Sequence, residues 1–303
     1  MDEILAMFDS PRHSFAPQYV CAPTTQDALR NEQNFTLTFH HGLTALPESL
    51  GQLAAITCID LTWCGSMTAL PESFCKLVAL TVVVLYGCRK LTALPESIGS
   101  LANIRVLNVA VCGQMCSLPD SVCQLAALET LDMSYCFSMT RLPDRLGQLA
   151  ALTRLDVSGC KFGKLPESLC QARALQYLNI SHCDHLTALP DQFGQLMMLK
   201  RLLAVCTALA RLPLSFVDLP NDCHVTFYHT MAMKFPPRAA VDSKGLSEPK
   251  AFLLAHHNPL KMLTLVLVAR RTRMHHIPDE LWVILVNYDD DDDDDDDDEC
   301  VGS

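Results

Sequence analysis

The sequence predicts an α/β solenoid, a curved horseshoe with about nine short parallel strands on its concave face and short helical or 3-10 segments on its convex face. Three observations carry this. A Leu-Pro pair recurs at Leu46, Leu70, Leu94, Leu118, Leu142, Leu165, Leu189 and Leu212, with spacings of 24, 24, 24, 24, 23, 24 and 23 residues. In the same phase, strand-like alternations such as Leu155 and Val157 end at a cysteine, here Cys160. Half of the chain is apolar but only 7% is aromatic, which suits many small packing units rather than one compact core.

One unit shows how each position works. Leu149, Leu152, Leu155 and Val157, with Cys160 closing the run, match the leucine-rich-repeat pattern of leucines at fixed offsets followed by Asn or Cys. Leu155 and Val157 make a strand with one buried face. Cys160 ends it at an inward bend that admits a small, mostly apolar side chain. We place Cys64, Cys88, Cys112, Cys136, Cys160, Cys183 and Cys206 in this column, as a ladder of reduced, inert structural thiols rather than disulfides or metal ligands. Leu165-Pro166 then turns the chain over the convex side, where Pro can open a short helix. An acid follows the Pro at Glu48, Glu72, Glu96, Asp120, Asp144, Glu167 and Asp191. In a first helical turn it complements the helix dipole, so these carboxylates read as a repeated cap, not a catalytic dyad. Gly51, Cys75, Gly99, Cys123, Gly147, Cys170 and Gly194 form a second column of small residues where the convex segment packs closely.

By this register residues 31–228 are the solenoid, with strands from Phe35-Thr36-Leu37 to Val225-Thr226-Phe227. Residues 1–30 are an N-terminal cap, 229–255 a linker with Pro236-Pro237, 256–288 a small helical hairpin, and 289–303 a disordered acidic tail.

The unit resembles the leucine-rich repeats of plant intracellular immune receptors, and also those of protist proteins and bacterial effectors. The resemblance covers roughly residues 35 to 228 and implies protein recognition. The fold hosts many unrelated tasks, so it names no partner.

Aligned copies place three outward columns on the concave strands. The first is Cys58, Val82, Val106, Thr130, Arg154, Tyr177 and Arg201; the second is Asp60, Val84, Asn108, Asp132, Asp156, Asn179 and Leu203; the third is Thr62, Tyr86, Ala110, Ser134, Ser158, Ser181 and Val205. Trp63, Tyr135 and His182 stand one step further, at the strand edge. Val82, Val84, Tyr86, Val106 and Ala110 are expected to form an exposed apolar patch. Tyr135, Arg154, Tyr177, His182 and Arg201 are of the types that dominate interface hot spots. Trp63, Val82, Val84, Tyr86, Val106, Tyr135, Arg154, Tyr177, His182 and Arg201 are the candidate partner-binding set. The Asp/Asn column reads as structural or solvent-facing.

Residues 258–288 resemble a SOCS box, the segment by which substrate receptors join cullin ubiquitin ligases. Pro259-Leu260 with Thr264 four places on matches loosely, and Ile277-Pro278 stands where the family has a longer Pro motif. Ile277-Pro278 and Leu281 also resemble an F-box opening. That resemblance implies a second function, an adaptor recruiting ubiquitin ligase core subunits.

Other classes are disfavoured. Asp289 to Asp298 and Glu299 supply eleven acids; the remaining 23 acids balance 23 Lys and Arg, so no basic field points to nucleic acid. No run reaches the roughly 20 apolar residues of a membrane span. The acids in the first ten residues do not suit a secretory signal, so a cytoplasmic protein is expected, and the sequons at Asn34 and Asn179 are read as chance. His256-His257 and His275-His276 lack companion cysteines and do not make a zinc site. No nucleophile set, phosphate loop or cofactor motif stands apart from the repeat. A non-enzymatic protein-binding module is the expected function.

Overall fold

In a computed structural model of the chain, residues 34–227 are described, except 211 and 221. Nine three-residue strands appear in order: β1 (Asn34–Thr36), β2 (Cys58–Asp60), β3 (Val82–Val84), β4 (Val106–Asn108), β5 (Thr130–Asp132), β6 (Arg154–Asp156), β7 (Tyr177–Asn179), β8 (Arg201–Leu203) and β9 (His224–Thr226). They form one sheet in sequence order, every neighbour pair parallel. Each strand opens a coil, numbered here after its strand. The expected cap, linker, hairpin and tail lie outside the described residues.

The middle residue of every strand points inward. Phe35, Ile59, Val83, Leu107, Leu131, Leu155, Leu178, Leu202 and Val225 are all buried, and the Leu of each Leu-Pro pair closes the same core from the other side. No coil can bury this face alone, so each completes its core only by stacking on its neighbours.

The return segments are 3-10 turns. In coils 1, 2, 4, 6 and 8 they span Glu48–Gln52, Glu72–Lys76, Asp120–Gln124, Glu167–Gln171 and Leu214–Asp218, each preceded directly by Pro in extended conformation. In coils 3, 5 and 7 they shorten to Ile98–Ser100, Leu146–Gln148 and Phe193–Gln195. Four of the seven acids thus open a helix, while Glu96, Asp144 and Asp191 stand ahead of one. The Pro carbonyl accepts from the N–H three residues on in both kinds of coil, as in Leu50 to Pro47 and Ile98 to Pro95.

The second small-residue column alternates strictly. Odd coils carry Gly51, Gly99, Gly147 and Gly194; even coils carry Cys75, Cys123 and Cys170, then Val217. A Cβ on any of these glycines would run into the carbonyl of Ser73, Ser121, Ser168 or Ser215 in the next coil. Close backbone approach therefore needs Gly at those four places. In two of the pairs the serine also accepts the glycine's N–H, Ser168 from Gly147 at 3.2 Å and Ser215 from Gly194 at 3.1 Å. On the convex side the coils pack as pairs, so the structural period is two sequence repeats.

The thiol ladder has six members, not seven. The Sγ of Cys64, Cys88, Cys112, Cys136, Cys160 and Cys183 donates to Leu37, Leu61, Leu85, Val109, Met133 and Val157, each a carbonyl of the preceding coil, at 2.9 to 3.3 Å. The step from β7 to β8 is 24 residues, so Thr207 takes the next place, with its hydroxyl 3.5 Å from the Ala204 carbonyl. Cys206, assigned to this column from the sequence, sits one residue earlier in the turn. Burial pushes the ladder thiols up, Cys64 to about 11 and Cys88, Cys136 and Cys183 to about 12, with Cys112 and Cys160 shifted the same way. Twelve described cysteines are free. Cys58, outside the ladder, is disulfide-bonded.

Two outcomes are expected. Gly147→Ala should destabilise the chain by about 1–3 kcal/mol in chemical denaturation, because its Cβ meets rigid backbone; Gly42→Ala, which faces open space, should change it by less than about 0.5 kcal/mol. Equal losses would refute the pairing argument. At pH 8, iodoacetamide should label exposed Cys116 in the native protein while the six ladder thiols react only in denaturant. Mass spectrometry of the cysteine peptides reads this directly, and native labelling of the ladder at the Cys116 rate would contradict it.

Candidate functional site

The sheet register aligns the concave residues across coils. The first column runs Asn34, Cys58, Val82, Val106, Thr130, Arg154, Tyr177, Arg201, His224, and the second runs Thr36, Asp60, Val84, Asn108, Asp132, Asp156, Asn179, Leu203, Thr226.

The second column maintains the coil. Asp60 Oδ1 accepts the Thr62 N–H at 2.9 Å and its hydroxyl at 2.6 Å. Asp132 does the same for Ser134, and Asp156 for Ser158. Asn108 and Asn179 accept from the N–H groups of Ala110 and Ser181. A short side chain folding onto the backbone two residues later fixes the turn that ends these five strands. Burial raises the Asp132 carboxyl, against the opposing pull of the Ser134 hydrogen bonds.

The apolar patch is assembled but less open than expected. Val82 and Val106 are register partners and half-buried, and Tyr86 is half-buried. Val84 and Ala110 are buried.

Beyond the third column the backbone turns left-handed in coil after coil. Phe39, Trp63, Val111, Tyr135, His182 and Cys206 have φ between 53° and 61°, and Gly87 and Gly159 fill the same place in coils 3 and 6. Such a conformation costs a non-glycine residue about 1–2 kcal/mol. It persists because the residue's N–H continues the inter-coil ladder, Trp63 to the Tyr86 carbonyl at 2.7 Å and Tyr135 to Ser158 at 2.6 Å. The two glycines have a separate reason. The Trp63 ring lies where a Gly87 Cβ would stand, and the Tyr135 ring does the same at Gly159.

Aromatic groups therefore gather along this rim. Trp63 meets Tyr86 edge-on at 5.4 Å, with the Arg89 guanidinium 5.0 Å from its centroid. Tyr135 is 42% exposed beside Phe137, 51% exposed, their centroids 6.0 Å apart. His182 is also exposed. Sequence reasoning named Trp63, Tyr135 and His182 but missed Phe39 and Val111, which share their phase, and Arg89 and Phe137, which reach the rim from the following loop. Arg154 lies 3.7 Å over the Tyr177 ring and 3.7 Å from Asp156 Oδ2. Burial raises the Tyr177 phenol, helped by Asp156 and countered by Arg154 and Arg201. Arg201 is exposed one strand further on. The expected adaptor residues Pro259, Leu260, Thr264, Ile277, Pro278 and Leu281 lie outside the described residues.

Among the described residues, no group of three or more His, Cys, Asp or Glu is placed to hold a metal ion, and no helix is long and apolar enough to cross a membrane.

A family model described as a leucine-rich repeat region matches residues 103–218. No curated protein matches the chain. Among solved structures, a leucine-rich-repeat protein of Leptospira interrogans is 26% identical over 69% of this chain, with a TM-score of 0.51. This chain covers 58% of that protein's length. The leucine-rich-repeat domain of the type III effector XopL is 24% identical over 69% of this chain and 73% of its own, with a TM-score of 0.52, a likeness of fold. Repeat motif, nine-stranded parallel array and structural likeness agree on one fold, the leucine-rich-repeat solenoid.

Proposed function

We propose that the chain is a non-enzymatic module that binds a protein partner on the concave face and its rim. The leucine-rich-repeat fold is a protein-interaction fold in general, and its extended concave surfaces serve that use. The observation that carries the specific reading is the left-handed column. Glycine would relieve strain at each of those positions, yet five of the eight hold Phe, Trp, Val, Tyr or His. Val111 is β-branched, the side-chain type least suited to that backbone. Strain of this kind, with aromatic groups displayed beside it, supports a recognition role. The half-buried Val82, Val106 and Tyr86 adjoin the rim and supply apolar contact area.

Catalysis gains no comparable support. The concave carboxylates accept backbone hydrogen bonds, and the ladder thiols are held protonated by burial, so neither set supplies a poised nucleophile or base.

Capture from lysate of the source cells, followed by titration against the captured partner, tests the reading. Tyr135→Ala should weaken binding by about thirtyfold, as loss of a 2 kcal/mol hot spot does. Val106→Asp should act in the same direction. Met197→Ser with Met198→Ser, exposed outside the concave columns, should leave binding unchanged. Partner binding lost in the methionine variant but retained in Tyr135→Ala and Val106→Asp would sink the proposal.

A further inference from the structure

We infer that the C-terminal half of the concave face, strands β6 to β9, takes an extended acidic peptide segment of the partner; this rests on the concave-face reading above. The first column there reads Arg154, Tyr177, Arg201, His224 on four adjacent strands. Arg201 and His224 are exposed, as is Lys200 beside Arg201. In coils 1 to 4 the same column holds Asn34, Cys58, Val82 and Val106, with no charge at all. The first column is thus divided into an uncharged half and a cationic half.

The neighbouring acids do not cancel those cations. Asp132 and Asp156 are each 8% exposed, with Oδ1 turned onto Ser134 and Ser158. Asp156 Oδ2 accepts from Asn179 at 3.0 Å and faces Arg154. Among the described residues the ion pairs are Arg105 with Glu129 and Arg154 with Asp156; neither uses Lys200 or Arg201. Asp222, on the approach to β9, is the exposed acid closest in sequence to His224.

Spacing favours a peptide with several carboxylates over a single phosphate. Neighbouring strands lie about 4.8 Å apart, so Arg154, Arg201 and His224 spread over about 14 Å. A single phosphate wants donors that converge. Carboxylates on alternate residues of an extended chain recur every 7 Å or so, which suits a line of cations. Tyr177, flanked by Arg154 and Arg201, offers a partly apolar step between them.

The probe is a fluorescein-labelled decapeptide of alternating Glu and Ser, with Gln-Ser and Lys-Ser decapeptides as controls, read by anisotropy. It is tested on the full chain and on a full chain with Asp→Asn at positions 289–298, which stops the protein's own acidic run from competing. The Glu peptide should bind at least one form, weaken as salt rises, and lose about tenfold or more in affinity in Arg201→Glu with His224→Glu. Circular dichroism should show that double variant folded. Failure of the Glu peptide to bind either form, or binding indifferent to the reversal, overturns the inference. So does tighter binding of a ten-nucleotide oligo-dT, which would point to nucleic acid. The partner-capture assay separates the two readings. If the charge reversal leaves capture intact while Tyr135→Ala removes it, the concave face binds but not through acids. If neither substitution affects capture, both readings fall.

Discussion

Hydrogen bonding between equivalent residues of successive coils sets every other feature of this array. The strands are three residues long, too short to fix a coil by themselves. The ladder is therefore prolonged past each strand. The N–H one residue after the second column reaches the next coil's second-column carbonyl, as Leu85 does to Asn108 and Val109 to Asp132. The left-handed residue two steps later then reaches the next coil's third-column carbonyl, and the ladder thiol that follows it turns back to the coil before. Continuing the ladder goes with the left-handed turn, and in coils 2, 4, 5, 6 and 7 an Asp/Asn clasp braces that turn. What reads in sequence as a row of carboxylates and a row of cysteines is one device for satisfying backbone groups inside a narrow coil.

This explains why the fold was legible in the sequence and where that legibility ended. Leu-Pro spacing fixed the strands and their register, because each coil repeats one solution to the same packing problem. A feature that belongs to two coils was harder to read. The alternation of Gly with Cys was visible as a column of small residues, but its meaning lies in the Ser73, Ser121, Ser168 and Ser215 carbonyls of the partner coil. Cys206 was misplaced because the repeat changes between 23 and 24 residues near it, and a cysteine stood one position from where Thr207 completes the column. Cys58, aligned in an outward column, gave no local sign of its disulfide.

The candidate site was less legible than the fold for a similar reason. Column membership followed from the period, so Arg154, Tyr177 and Arg201 could be aligned by counting. Exposure does not follow from column membership. Val84 and Ala110 face the concave side yet are buried, while Phe137 lies off every column and is among the most exposed large apolar groups. Contacts made across coils, such as Arg89 over Trp63, have no fixed sequence separation to search for.

The division of labour among columns has a consequence for how such a surface can change. The Asp and Asn residues of the second column are committed to the turn, and none can be traded for a binding group without releasing the N–H it holds. The first column has no such duty in the clasp, which is why it can hold Val, Thr, Arg, Tyr and His in successive coils. The left-handed rim lies between these cases. Glycine is the conformationally cheapest choice there, so each bulky residue stands against a backbone preference that the inter-coil hydrogen bond and its side-chain contacts together offset. At Gly87 and Gly159 that contact is made from the preceding coil, by Trp63 and Tyr135 lying across the bare backbone. A ring seated in this way is pre-positioned, loses little freedom on meeting a partner, and suits the rim to recognition better than a flexible loop would.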